Sequence, residues 1–195
     1  LGSTPWHWHV FAFIWRWVCA AGIFFMVKQI LKDRNEPAFM VSLVFLLFPG
    51  FSQQYIAMCY GHYQIALSAL TFSIGISLYL VDHPKNKGLL SIVAAVLAAV
   101  NLFTTEYFFT LELLRPIFIW AILRDTDKRL QKTIKEWWPF LIVLIAATLW
   151  RAFFFDYQTA AYGFNAISMV ESHPGQGIVS IASQIVTNLW QVLFK

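Results

Sequence analysis

Long apolar stretches separated by short polar loops run through the whole chain. A helix that crosses the hydrocarbon core of a bilayer needs about 20 mostly apolar residues. By this criterion the pattern predicts about seven membrane segments. They cover residues 9–31, 37–51, 62–81, 89–103, 107–123, 137–155 and 177–195. The second and fourth are short, and the second ends at Pro49 and Gly50, which disfavour a continuing helix.

Composition agrees with this pattern. Hydrophobic residues make up 59% of the chain and charged residues 12%, whereas soluble domains are roughly 45–50% apolar and about 25% charged. We therefore expect an all-α fold, a polytopic transmembrane helix bundle that forms a single domain over residues 1–195. Because the sequence starts at Leu1 and is still apolar near Lys195, we expect a fragment of a larger bundle, incomplete at both ends.

The charged loops predict an orientation. Basic residues cluster in the loops 32–36, 82–88 and 124–136, while the loops 50–61, 104–106 and 156–176 contain no Lys or Arg. Alternating segments put all three basic loops on one side, and the positive-inside rule makes that side cytoplasmic. We expect an integral membrane protein of a bacterial plasma membrane. The net charge of +4 then reflects topology, so the expected partner is the lipid bilayer and not nucleic acid.

Ionisable residues inside predicted helices or at their ends are the candidates for function, because a charge in hydrocarbon costs at least ~2.5–3.5 kcal/mol on insertion scales. Those on the side opposite the basic loops, with one histidine, are Arg16, His62, Glu106, Glu112, Arg115 and Arg151. Arginine binds phosphate through its planar fork of donors. We interpret this set as lipid-phosphate-binding or substrate-binding residues, except Glu106, which is the candidate catalytic base. The His-x-His spacing of His7 and His9 resembles a metal pair, but no carboxylate or Cys stands near it in the sequence, so we expect no metal site.

Each candidate also has a structural interpretation. Glu112 and Arg115 are three residues apart, so they can form an ion pair on one helix face. Arg16 and Arg151 can extend to lipid head groups. Glu106 lies at a helix start, where the helix dipole stabilises a carboxylate.

Four features resemble the GT-C superfamily of membrane glycosyltransferases, which includes the dolichyl-phosphate-mannose protein mannosyltransferase relatives. These are the Arg-bearing first helix, the short basic loop after it, the helix ending in Leu46-Leu47-Phe48-Pro49-Gly50, and the polar outer turn that follows. The stretch 101–116 resembles uncharacterised bacterial multi-pass proteins of the same general sort. The resemblance covers residues 9–120 and implies an outward-facing site with a polyprenyl-phosphate-linked sugar as donor. The family's catalytic aspartate lies in its first large outer loop, and no outer loop here has a matching acidic pair. A divalent metal is expected only if such a loop lies outside this sequence.

Three functions remain open. The chain can be part of a glycosyltransferase that moves a sugar from a polyprenyl-phosphate donor at the outer face. It can be a transporter or permease segment, since broken helices and buried charges suit transport. It can also be a structural or assembly protein, so enzymatic activity stays an open question here.

Overall fold

The structure is a computed structural model and describes residues 4–32, 34–48, 57–84, 87–124, 126–154 and Ser183. Over these ranges the chain is helical and contains no strand, which confirms the all-α fold. The helices are α1 (Pro5–Ile30), α2 (Asn35–Leu47), α3 (Ala57–Asp82), α4 (Lys87–Thr104), α5 (Phe109–Glu112), α6 (Leu114–Ile122) and α7 (Arg129–Phe153). The chain divides into two compact units, Leu1–Phe153 and Phe154–Lys195, and all seven helices belong to the first.

Four helices are long and apolar enough to cross a membrane. They are α1, the Gly61–Asp82 part of α3, α4 and α7, and they fit an integral membrane protein. Helix α2 is apolar but has only 13 residues, about 20 Å at the helical rise. The predicted segment at 177–195 lies outside the described residues. The total of about seven crossings therefore stays a prediction.

Helix α3 is the central helix of this unit, since it packs against α1, α4 and α6. Glycines permit its close contact with α1, as small residues do between membrane helices. A Cβ atom on Gly75 would lie 2.6 Å from Cδ1 of Phe25 and 3.3 Å from Cα of Met26. Leu70, Ile74 and Leu78 of α3 form a buried core with apolar residues at and after the end of α6, and Met26 and Ile30 of α1 pack against it.

The loops rich in basic residues lie together at one end of the helices, which we call the basic end. Lys32, after α1, pairs with Asp82 at the end of α3, at 3.5 Å between Nζ and Oδ2. Lys87, at the start of α4, pairs with Glu136 in α7. Residues from all three predicted basic loops thus share one end, although the side of a membrane that it faces stays a prediction. We call the opposite end of the helices the far end.

The predicted segment 107–123 is two short helices and not one. Helix α5 ends at Glu112, and α6 starts at Leu114. Pro116 explains the break, because proline has no N–H for the carbonyl four residues earlier and its ring clashes with that carbonyl. The N–H of Leu113 bonds instead to the carbonyl of Thr110, three residues back, at 3.2 Å.

Helix α7 begins at Arg129, eight residues before the predicted segment 137–155. Its first turns are charged, so hydropathy alone does not detect them. Pro139 lies inside the helix without ending it, as membrane helices often permit. The predicted basic loop 124–136 is therefore helical from Arg129 onward.

The contact between α1 and α3 predicts the effect of adding one methyl group. We expect Gly75→Ala to destabilise the protein by about 1–3 kcal/mol, because the new Cβ overlaps Phe25 and the backbone of Met26. Gly88→Ala is the matched control, since a Cβ there meets nothing within 4 Å and alanine favours a helix. Thermal unfolding in detergent, followed by circular dichroism, measures both. Equal midpoints for the two variants would contradict this account of the contact.

Candidate functional site

An ion pair between Glu106 and Arg151 lies at the far end of the helices. Glu106 follows α4, and Arg151 is in the last turn of α7. Nη1 of Arg151 donates a hydrogen bond to Oε2 of Glu106 across 45 residues of sequence. The Glu106 side chain is 46% exposed and that of Arg151 only 14%. The pair therefore presents a carboxylate to the surroundings and holds the guanidinium behind it.

One aromatic ring contacts this pair, and two more pack together next to it in the sequence or the fold. The Phe109 ring centre lies 5.9 Å from Cζ of Arg151, within reach of a cation–π contact. Tyr107 packs edge-on against Tyr63 of α3, with 5.3 Å between ring centroids.

His62 belongs to the edge of this aromatic group. Its ring lies 4.1 Å from the Tyr63 ring, centroid to centroid, and its side chain is exposed. His62 therefore makes an aromatic contact with Tyr63, which in turn packs against Tyr107, the residue after Glu106.

Arg16 lies at the contact between α1 and α2. Its Nη2 donates a hydrogen bond of 3.3 Å to the carbonyl of Phe48, the residue that caps α2. The last carbonyls of a helix lack partners within the helix, and a cationic side chain stabilises them. The geometry thus gives Arg16 a structural contact at the end of α2.

Glu112 and Arg115 form the ion pair that their spacing predicts, and both side chains are fully buried. Nε of Arg115 donates to one carboxylate oxygen of Glu112, and Nη2 donates to the other at 3.0 Å. The two residues lie on either side of the break at Leu113, so the pair connects α5 to α6.

Helix α3 supplies the remaining acceptors for Arg115. Nη1 donates to the carbonyl of Ser73 and to Oγ of Ser77, each at 3.0 Å. Nη2 also donates to Oγ of Ser73 at 2.8 Å. Since a guanidinium has five N–H donors, these bonds and the two to Glu112 use all of them. Arg115 has no donor left for a phosphate, and its environment is that of a buried structural ion pair.

Three partners of this buried pair were not among the sequence candidates: Ser73, Ser77 and Phe140. Cζ of Arg115 lies 3.7 Å from the ring centre of Phe140 in α7. The two serines are four residues apart on an apolar helix, which places both hydroxyls on one face. That spacing was a usable signal for a polar partner, whereas nothing in the sequence around Phe140 marks it.

Comparisons with protein-family models, curated proteins and solved structures find no match to this chain. The similarity to GT-C enzymes therefore rests on the sequence features given above. Among the residues that the structure describes, no three His, Cys, Asp or Glu side chains form a group able to hold a metal ion.

The buried pair makes a prediction about paired and single substitutions. We expect Glu112→Leu to cost about 3–5 kcal/mol of stability, because it leaves Arg115 buried without a counter-charge. The double variant Glu112→Leu with Arg115→Met should recover much of that loss, since it removes both charges. Chemical unfolding in detergent micelles measures the free energies.

A control for this experiment is Lys32→Gln, at the basic end. The side chains of Lys32 and Asp82 are 60% and 46% exposed, and an exposed pair contributes at most about 1 kcal/mol. If the double variant is as unstable as Glu112→Leu alone, the uncompensated charge is not the cause of the loss.

Proposed function

We propose that this membrane protein transfers a sugar from a polyprenyl-phosphate-linked donor to a hydroxyl acceptor at the far end of its helices. The proposal draws on the GT-C resemblance, and one observation supports it most. The fold joins a half-exposed carboxylate, Glu106, to an arginine, Arg151, from a distant part of the chain. These are the two groups that such a transfer requires, a proton acceptor and a phosphate ligand.

In the proposed reaction, the acceptor oxygen forms a bond to the anomeric carbon of the donor sugar. The bond from that carbon to the phosphate oxygen breaks, and polyprenyl phosphate leaves with the electron pair. Glu106 takes the proton of the acceptor hydroxyl. Arg151 binds the phosphate oxygens and stabilises the charge that develops on the leaving group.

The ion pair suggests how donor binding and proton transfer are linked. In the free protein Arg151 donates to the Glu106 carboxylate. A phosphate that takes over donors of Arg151 weakens the hydrogen bond from Arg151 to that carboxylate, which makes Glu106 a stronger base toward the acceptor hydroxyl. Donor binding would then precede activation of the acceptor, which protects the donor from premature reaction with water.

The aromatic rings fit a lipid-linked sugar. Phe109 lies beside Arg151, and Tyr107, the residue after Glu106, packs against Tyr63. Aromatic side chains are typical of the interface where lipid chains meet head groups. Their faces suit the apolar faces of a sugar ring or the first isoprene units of the carrier.

Transport is the alternative function, and the helix break at Leu113 is the feature closest to it. Discontinuous helices form the substrate sites of many transporters. At this break, however, the five donors of Arg115 are all occupied by Glu112, Ser73 and Ser77. Because the charged groups at the break satisfy each other, we do not propose a transport site there.

The transfer is tested with the full chain in liposomes, with radiolabelled polyprenyl-phosphate mannose as donor and a hydroxyl acceptor. We expect Glu106→Gln to lower kcat by about 10²–10⁴-fold, as loss of a general base does, with little change in donor binding. Arg151→Gln should instead raise the KM for the donor, and Arg151→Lys should retain part of the binding because it keeps the charge.

Glu36→Gln is the matched control, since it removes a carboxylate from an exposed position at the basic end. It should leave the rate unchanged. A Glu106→Gln variant with the full rate would rule out the general-base role. An Arg151→Gln variant with an unchanged KM would rule out phosphate binding by that arginine.

A further inference from the structure

We propose that a cavity at the basic end of the helices is a binding site for a phosphate group. It is separate from the Glu106–Arg151 pair and does not depend on the proposed transferase activity. The cavity has a volume of about 440 Å³ and lies between the end of α3, the end of α6 and the start of α7. This is within the range of roughly 300–1,000 Å³ that small-molecule sites occupy.

The carboxylates that line the cavity already have cationic partners. Asp82 pairs with Lys32, and Glu136 pairs with Lys87. Both acids are therefore neutralised within the protein, and they do not cancel further positive charge in the cavity.

Two further lysines line the same cavity, Lys132 and Lys135. Among the described residues neither side chain has an ion-pair partner. They are three residues apart in α7, so they lie on the same face of the helix. The cavity thus carries two positive charges that the described part of the fold leaves uncompensated.

The surroundings of these lysines favour a phosphate over a simple carboxylate. Both lie in the first two turns of α7, next to the loop that carries Thr126. Thr126 also lines the cavity, and its hydroxyl is a third potential donor. A tetrahedral phosphate can accept hydrogen bonds from several directions at once. It can therefore bind two ammonium groups and a hydroxyl that are placed around one cavity.

The cavity also has an apolar wall, formed by Val81, Ile122 and Leu123. A phosphate that carries an apolar substituent would use both the lysines and this wall. Two sources share this chemistry: the head group of an anionic phospholipid and a soluble phosphate compound. The position at the ends of the candidate membrane helices puts both within reach.

The test uses the full chain in a zwitterionic detergent, with phosphatidylglycerol and inorganic pyrophosphate as probes. Native mass spectrometry counts bound phosphatidylglycerol, and calorimetry measures pyrophosphate. The variant Lys132→Gln with Lys135→Gln should weaken the probe that binds by at least about tenfold, as expected for the loss of two charged hydrogen bonds.

The matched control is Arg124→Gln with Lys128→Gln. It also removes two positive charges from the basic end, but neither residue lines the cavity. We therefore expect the affinity for the probe to change by less than about threefold. If excess pyrophosphate does not displace bound phosphatidylglycerol, the ligand of the cavity is a lipid head group. If pyrophosphate binds and displaces the lipid, the ligand of the cavity is a soluble phosphate compound.

Two results would overturn the proposal. One is that neither probe binds the wild-type protein above the level seen with phosphatidylcholine. The other is that the control variant loses as much affinity as the cavity variant, which would show attraction to the overall charge of this end. If the cavity variant does not fold, the test is made on the wild-type protein by amine acetylation in the presence of the probe. Occupation of the cavity should protect Lys132 and Lys135 from acetylation more than Lys128. Equal acetylation of the three would also overturn it.

Discussion

The buried guanidinium of Arg115 is the constraint on which the rest of the helical unit depends. Deprived of water, it needs an acceptor for each of its five donors, and desolvated charges are costly without them. Glu112, Ser73 and Ser77 provide those acceptors. This fixes α5 and α6 against α3. Because Glu106 lies on the connection between α4 and α5, the same network also determines where that carboxylate can meet Arg151.

Hydropathy located α1, α3 and α4 within a few residues, because a bilayer selects apolar residues over the whole length of a crossing. It failed where the constraint was local. The break before Leu114 follows from one missing N–H at Pro116, which barely alters a window average. The start of α7 at Arg129 was missed for the opposite reason, since its first turns are charged and yet helical.

The candidate residues were predicted on one side of the bilayer, but not their grouping. Hydropathy estimates the depth of a residue along a helix, whereas its partner depends on the rotation of that helix and on its neighbours. Arg16 contacts the end of α2, Arg115 contacts α3, and Arg151 contacts Glu106. Only the Glu112–Arg115 contact was predictable, because residues three apart on a helix are neighbours wherever the helix lies. The Glu106–Arg151 pair spans 45 residues and depends on tertiary packing.

The two ends of the unit differ in how their cations are neutralised, and this sets what each can bind. At the far end Nη1 of Arg151 already donates to Glu106, so an anion that takes this donor competes with a carboxylate. This competition favours a ligand that offers more acceptor oxygens than Glu106. It makes the far end selective among anions, but it lowers the affinity for each of them. At the basic end Lys132 and Lys135 require no exchange. Binding there follows charge more directly and should weaken as salt shortens the screening length, which is about 8 Å at physiological ionic strength.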